Sequence, residues 1–300
     1  MSDRLYDCII IGAGPGGLQA AIYLGRYNRD VVLLDRSGGR TWHAKHIENV
    51  VGHRDIAGSE IIALGKEQAR RFNVRVEREP VKAVQKNGEF VVSTTDRAYR
   101  SRFVIAASGV TDVLPPLENV HRFLGISYFT CVDCDGYKTT DRKLIVIGNS
   151  LQVVNLAIAM KQMYTRDITF IPCEFTLPAA AIEVLGDEAI RVVVEEPAAI
   201  IGTEKMEAIE LKGGKRIPCE VIMASFGITL NDGYLKGLAL KKDAAGFKYA
   251  VSGAYESSLR GLYIVGPLNT GQDQVAIAAG EGAVAAIDIN KRLLEEYDLR

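Results

Sequence analysis

The segment 129-FTCVDCDGY-137 sets Cys131 and Cys134 two residues apart, with Asp135 directly after them. Two thiols at that spacing can form half of a zinc site, a structural clip, or a disulfide that is made and broken in turnover. Zinc needs further ligands. His43 and His46 in 43-HAKH-46 are of the right type but lie inside a separate nucleotide-binding pattern, and there is no second Cys-x-x-Cys. No metal ligand is therefore assigned. Of the other cysteines, Cys8 and Cys219 sit in apolar strand-like runs and read as small core residues, and Cys173 has no visible partner.

The elements that must hold this pair come from a chain of 300 residues, 48% hydrophobic and 24% charged, which suits two globular domains. A net charge of -1 with scattered Lys and Arg gives no electrostatic case for nucleic acid. No run approaches the eighteen or so apolar residues of a membrane span, and 8-CIII-11 is too short for a secretory core. Five cysteines do not make a secreted disulfide framework, so a reducing cytoplasm is expected.

Near the start, 7-DCIIIGAGPGGLQAAIYLGRY-27 reads as strand, tight turn and helix. Gly12, Gly14 and Gly17 form G-x-G-x-x-G in that context, with Pro15 and Gly16 inside the turn. The first glycine allows the turn, the second lets a pyrophosphate reach the backbone, and the third lets helix and strand pack closely. A second strand, 31-VVLLD-35, ends in Asp35, eighteen residues after Gly17, where a carboxylate would meet an adenosine ribose. The first domain thus carries a dinucleotide site.

The pattern recurs at 144-LIVIG-148, followed by helix-like 148-GNSLQVVNLAIAMKQMY-164 and strand-like 168-ITFI-171. Together with the echo between 104-VIAASGV-110 and 221-VIMASFGI-228, this predicts an α/β protein of two Rossmann-like domains. Short alternating runs such as 74-VRVEREPVKAV-84 and 88-GEFVVSTT-95 predict smaller antiparallel sheets, making each domain a three-layer ββα unit.

With these residues in place, the chain resembles the low-molecular-weight thioredoxin reductases over essentially its whole length. The landmarks are 12-GAGPGG-17, 47-IENVVG-52, 104-VIAASG-109, 125-GISYFTCVDCDG-136 and 261-GLYIVG-266. The resemblance implies an FAD domain built from 1–113 plus 248–300, split around an inserted pyridine-nucleotide-type domain, 114–247, that carries the CxxC. It implies FAD on Gly12, Gly14, Pro15, Gly16 and Gly17, with Asp35 on the ribose and Asn49 near the isoalloxazine. Gly109, the loop from Gly266 and Pro267, and the helix start at Asp273, Gln274 and Val275 would complete the site. Cys134 would face the flavin, Cys131 an external dithiol or disulfide, and Asp135 would move the proton. A homodimer acting on a small dithiol protein or thiol is implied by the family.

Three departures matter. The second turn keeps Gly148 but has Ser150 and Val153 at the next two glycine positions, and Cys173 and Glu174 replace the basic residues that pair with the 2′-phosphate of NADPH. Gly266-Pro267 replaces the family's Gly-Asp, leaving Asp273 as the nearby carboxylate, and Arg40, Thr41 and Trp42 replace a threonine-rich stretch beside the flavin. The chain is thus expected not to use NADPH. Among NADPH-independent branches, GPLNTGQDQ and the Trp42 segment are more similar to the diflavin-linked disulfide oxidoreductases than to the ferredoxin-dependent enzymes. That similarity implies a second FAD stacked on an aromatic face (Trp42, Tyr27, Tyr128 or Tyr137 being candidates) and electron flow from dithiol to flavin. The alternatives are a ferredoxin-dependent thioredoxin reductase, an NAD(P)H-dependent one, and a flavin redox sensor without turnover.

Overall fold

The computed structural model describes residues 4–298, with side chains to residue 295 in the last helix. The chain divides into two compact units, Met1–Thr111 with Thr229–Arg300, and Asp112–Ile228.

In the first unit the apolar run Leu5–Ile11 forms the central strand of a mixed sheet. Parallel strands Val31–Leu34 and Arg75–Glu77 extend it on one side, and Ala98–Ala106 lies on the other. The strand Ala98–Ala106 is shared along its length. Its first half pairs antiparallel with Glu89–Thr94, and its end pairs in parallel with Leu262–Ile264. Alternation along the strands sorts their side chains onto two faces. Cys8, Ile10, Val31, Leu33 and Ile105 pack beneath helices Pro15–Arg26, Gly58–Arg71 and Val275–Asp298, through Leu24, Ile62, Ala285 and Ile289. Ile9, Ile11, Val32, Leu34 and Val104 instead meet Phe90, Val92, Tyr234 and Tyr249.

The second unit repeats this scheme. Strand Leu144–Gly148 is flanked in parallel by Ile168–Pro172 and Val221–Ser225. Leu144, Val146, Val221 and Met223 face helices Gln152–Met163 and Ala179–Asp187. Ile145, Ile147 and Ile222 face a three-stranded antiparallel sheet, Pro197–Gly202, Met206–Leu211 and Arg216–Pro218. The expected α/β architecture of two ββα units is what is observed. Among the described residues, no helix is long and apolar enough to cross a membrane.

The return of the chain differs from the expected domain boundary at 247/248. It comes at Thr229, so residues 229–247, assigned from the sequence to the inserted domain, belong to the first unit. The cause is a set of contacts that a linear pattern does not display. Tyr234 and Leu235 are buried with Tyr249, and the Tyr234 hydroxyl lies 2.8 Å from Ser108 Oγ. Asn231 Nδ2 also donates to the Ser108 carbonyl at 3.2 Å.

Helices Pro15–Arg26 and Val275–Asp298 cross through glycine. A Cβ on Gly282 would lie 2.0 Å from the Gly16 carbonyl oxygen, whereas one on Gly280 would meet nothing within 4 Å. Alanine is favoured over glycine inside a helix by about 1 kcal/mol, and forcing a methyl into a closed contact costs about 1–3 kcal/mol or more. Gly282→Ala is therefore expected to lower stability by about 2 kcal/mol in urea titrations, while Gly280→Ala raises it by up to about 1 kcal/mol.

Candidate functional site

The first cradle is closed by backbone contacts that only glycine permits. Gly12 has φ +105°, and a Cβ there would sit 2.5 Å from the Ala107 carbonyl oxygen. A Cβ on Gly17 would lie 2.0 Å from the Gly12 oxygen, so the helix lies directly on the end of its strand. Gly14 has nothing closer than 3.8 Å to its missing Cβ, which leaves its outer side open. Gly14 is also the N-cap of helix Pro15–Arg26, with Pro15 in the first turn. No side chain caps the helix and no acidic residue occupies that turn. Its amide groups and positive dipole end are available to an anion, as a pyrophosphate requires.

Asp35 follows the second strand, where the ribose carboxylate was expected. Its Oδ1 accepts from the Ala13 amide at 3.2 Å, which ties it to the glycine turn. Its Oδ2 accepts from Lys66 Nζ at 2.8 Å, with the Asp35 and Lys66 side chains both mostly buried. Lys66 lies on helix Gly58–Arg71, beside the buried stripe Gly58, Ile62, Gly65 and Ala69. Nothing in the sequence distinguishes it from the other basic residues of that helix.

Asn49 and Gln274, 225 residues apart, meet directly: Asn49 Nδ2 donates to Gln274 Oε1 at 3.0 Å. Val275 follows Gln274 as the first residue of the last helix. Gly109, with φ +63°, accepts at its carbonyl from the Asn231 amide at 3.0 Å. Arg40, Thr41 and Trp42 form the short helix Arg40–His43, and the Thr41 carbonyl closes against Gly58. Trp42 is 45% exposed, while Tyr128, one of the candidate stacking faces, is fully buried.

The loop after the last strand is held differently from expectation. Gly266 and Pro267 form a single 3-10 turn, and the Gly266 amide donates to Glu281 Oε2. Asn269 Nδ2 donates to the same oxygen at 2.8 Å, and Asn269 Oδ1 accepts from the Gly271 amide at 2.6 Å. Glu281 is 2% exposed. Burial pushes its carboxyl above the ordinary carboxylate range, against the opposing pull of the Gly266 and Asn269 hydrogen bonds. Asp273, the carboxylate expected near this loop, is paired with Lys248 Nζ at 2.7 Å. The sequence holds one faint signal for Glu281: an acid inside the Ala/Gly-rich run 276-AIAAGEGAVAA-286.

In the second unit, Cys131 and Cys134 form a disulfide with Cα atoms 5.3 Å apart. Cys131 precedes the one-turn helix Val132–Asp135, and the Asp135 amide donates to the Cys131 carbonyl at 3.1 Å. Both cysteines are partly exposed. Asp135 Oδ1 accepts from Lys138 Nζ at 3.0 Å, a partner not anticipated from the sequence. Gly136 is small because the Tyr164 ring lies where its Cβ would be, 2.7 Å away. His43 and His46 are engaged elsewhere, with the Gly38 carbonyl at 3.2 Å and Asp55 at 2.8 Å.

The second turn is built another way. Val153, 1% exposed, is a core residue whose Cγ2 fills the space over Gly148, 2.5 Å from where a Cβ would be. Ser150 accepts at its carbonyl from the Val153 amide at 3.1 Å, and the helix begins only at Gln152. Past strand Ile168–Pro172, Cys173 is buried and its thiol is pushed up to about 12, burial being the main cause. Glu174 has φ +59°, and its amide donates to Glu196 Oε1 at 3.2 Å.

The model of the pyridine nucleotide-disulphide oxidoreductase family matches residues 6–282. The chain belongs to this family. It is 28% identical to the thioredoxin reductase of Mycolicibacterium smegmatis over 309 residues, covering 98% of this chain and 99% of that protein. It is 25% identical to the thioredoxin reductase of Bacillus subtilis, covering 95% and 93%. Among solved structures it superposes on HlmI with a TM-score of 0.93 at 25% identity, covering 100% of this chain and 96% of that one. The protein is therefore a thioredoxin reductase-like disulfide oxidoreductase, in a family whose members bind FAD.

Two expectations follow from the environments above. After reduction, the native protein should show two thiols to a water-soluble disulfide reagent, at Cys131 and Cys134. Five should react after denaturation, because Cys8, Cys173 and Cys219 are buried, and burial raises their thiols out of the reactive range. For Glu281, a raised folded-state value means that the native state holds its proton more tightly. The stability tied to that proton is full below the unfolded value of about 4.5 and is lost as pH rises through the folded value. Glu281→Gln, which keeps an acceptor oxygen for Gly266 and Asn269, should thus be stabilised relative to wild type near pH 8. Denaturant titrations should show that gap closing toward pH 4.

Proposed function

We propose that the protein is an FAD-dependent disulfide/dithiol oxidoreductase that works through Cys131, Cys134 and Asp135 without NADPH. The observation that carries this reading is the contrast between the two turns. The first offers an open Gly14, an uncapped helix N-terminus and a ribose-ready Asp35. At the second, Val153 fills the turn and Glu174 and Glu196 lie beyond the next strand.

The residues fit FAD: Gly12, Gly14, Pro15, Gly16 and Gly17 would take the pyrophosphate, Asp35 the ribose, and the Asn49–Gln274 pair the flavin side. When bound, FAD supplies a two-electron acceptor or donor for the cysteine pair. The exchange itself belongs to the protein. A thiolate of an external dithiol attacks the Cys131 sulfur, the Cys131–Cys134 bond breaks, and Cys134 leaves as a thiolate. The second substrate thiol then attacks its own mixed-disulfide sulfur and releases Cys131. The substrate ends as a disulfide and the enzyme pair as two thiols, and Asp135, the next residue in sequence, would carry a proton to or from Cys134.

The finer reading is the diflavin type, with a second FAD, electrons running from dithiol to flavin, and exposed Trp42 as the stacking face. A small dithiol protein or thiol is the substrate class, and a homodimer and a cytoplasmic site are part of the same proposal.

The test is anaerobic mixing of the purified flavoprotein with dithiothreitol, NADPH or NADH. Dithiothreitol should bleach the flavin in wild type and fail to do so in Cys131→Ser, while micromolar nicotinamides leave the colour intact. Rapid bleaching by NADPH would return the chain to the nicotinamide-dependent reductases. Flavin released on denaturation should approach two per chain; one per chain would sink the diflavin reading alone. Thioredoxin reduction driven by reduced ferredoxin would favour the ferredoxin-dependent alternative.

A further inference from the structure

The redox turn carries a carboxylate on each side of Cys134 in sequence, Asp133 and Asp135. Asp133 is exposed to water, which screens it. Asp135 is not: its side chain is 21% exposed, and that of Lys138, which pairs with it at 3.0 Å, is 20% exposed. A carboxylate this sheltered, one residue from Cys134 in sequence, is screened by solvent less than Asp133 is.

Lys138 is held by more than the ion pair. Its ammonium lies 5.8 Å from the Phe129 ring centre and 5.6 Å from that of Tyr137, within cation–π range of both. Phe129 is buried on the two-residue strand Tyr128–Phe129 that leads into the cysteines. Tyr137 directly follows Gly136, whose Cα faces the Tyr164 ring. A flexible side chain is thus held by groups of the CxxC turn and of the strand that leads into it. A lysine serving only solubility would extend into water and keep its rotamer freedom.

We infer that Lys138 is a positioning residue for dithiol exchange, offsetting the Asp135 carboxylate so that negative charge can develop on the Cys134 sulfur. The inference rests on the proposed role of the cysteine pair but not on the flavin or on the electron donor. In the exchange step above, the S–S bond breaks as the external thiolate bonds to Cys131, and the electron pair leaves with Cys134. With Lys138 present, that charge forms beside a neutral ion pair; without it, beside an unpaired, sheltered carboxylate. The titratable groups of the turn that enter this balance are Asp133, Asp135, Tyr137 and Lys138, with Tyr164 packed against Gly136.

The test uses the full-length protein, reduced and freed of reductant under anaerobic conditions. Alkylation by iodoacetamide at about pH 7.5 is followed by mass for the peptide containing both cysteines, together with thiolate absorbance in the ultraviolet. Lys138→Met and Lys138→Gln should slow alkylation about three- to tenfold and lower the thiolate signal, the effect of one neighbouring charge at intermediate effective dielectric. Lys138→Arg should stay within about twofold of wild type, because it keeps the charge. Combining Asp135→Asn with Lys138→Met should restore the rate to within about twofold of Asp135→Asn alone. Wild-type rates in both neutral variants, an equal loss in Lys138→Arg, or no recovery in the double variant would each overturn the inference. Because the cysteines are reduced beforehand, this result stands apart from whether dithiothreitol bleaches the flavin.

Discussion

A methyl group at Gly17 would lie 2.0 Å from the Gly12 oxygen, one at Gly12 2.5 Å from the Ala107 oxygen, and one at Gly282 2.0 Å from the Gly16 oxygen. These three approaches join the first strand, the helix after it, the neighbouring strand end and the last helix into one packed corner. The candidate cofactor side depends on that corner. Only with the helix seated on the strand end do its first amides point over the sheet edge. Only with the last helix locked on Gly16 does Gln274 come within hydrogen-bond reach of Asn49. The close packing also explains the small residues of the last helix, since a larger side chain at 282 would push its N-terminal turn, and Gln274 with it, off the cradle.

The second unit has the same strand order logic but relaxes this one constraint. At Gly148 the Ser225 carbonyl oxygen still closes on the glycine, 2.3 Å from where a Cβ would lie, but the position equivalent to Gly17 is Val153, whose Cγ2 fills the remaining space at 2.5 Å. The helix starts at Gln152 and its buried face, Val153, Val154, Ala157 and Met160, is devoted to the core. On the proposed reading, this one position separates the two turns. A third glycine draws the helix down and leaves its amide end open to an anion, whereas valine uses the same space for apolar burial worth about 2 kcal/mol. The fold persists because burial maintains it; the anion site does not follow automatically from the fold.

Much of this was legible in the sequence because it is written in local terms. Strand alternation, the glycine turns, Asp35 after the second strand and the CxxC each need only neighbouring residues for their signal. What escaped detection is of one kind. Lys66, Lys138 and Glu281 are charged residues whose meaning comes from a partner, and partners at 31, 3 and 15 residues' separation are chosen by tertiary approach or by a tight turn. Lysine is generic on a helix surface until its carboxylate is known. The misplaced return at 229–247 has the same origin. The segment 229-TLNDGYLKGLAL-240 is apolar enough for either unit, and the Tyr234–Ser108 and Asn231–Ser108 bonds decide it. Asp273 is the converse case, a carboxylate in the right stretch that Lys248 engages.

The end of strand Ile168–Pro172 shows how such partnerships bear on chemistry as well as on assignment. A phosphate arriving there would need cationic or amide donors that are not already committed. The Glu174 amide is turned, by a left-handed backbone at φ +59°, toward Glu196, and Glu196 is in turn paired with Lys212. The cation at this strand end thus serves a carboxylate of its own unit, and a second carboxylate, Glu174, stands beside it. Both partners of the Glu196–Lys212 pair respond as such pairs do, the acid pulled down and the lysine pushed up, chiefly by the hydrogen bond between them. An anion could recruit Lys212 only by displacing Glu196, and would leave that carboxylate uncompensated next to Glu174. At Asp35 the pairing has the opposite sense: Lys66 neutralises a carboxylate whose remaining acceptor capacity suits a ribose hydroxyl, a neutral donor that loses nothing to the pair. The same ion-pair chemistry thus leaves acceptor capacity on the carboxylate at the first strand end and commits the cation at the second, the contrast on which the proposed function rests.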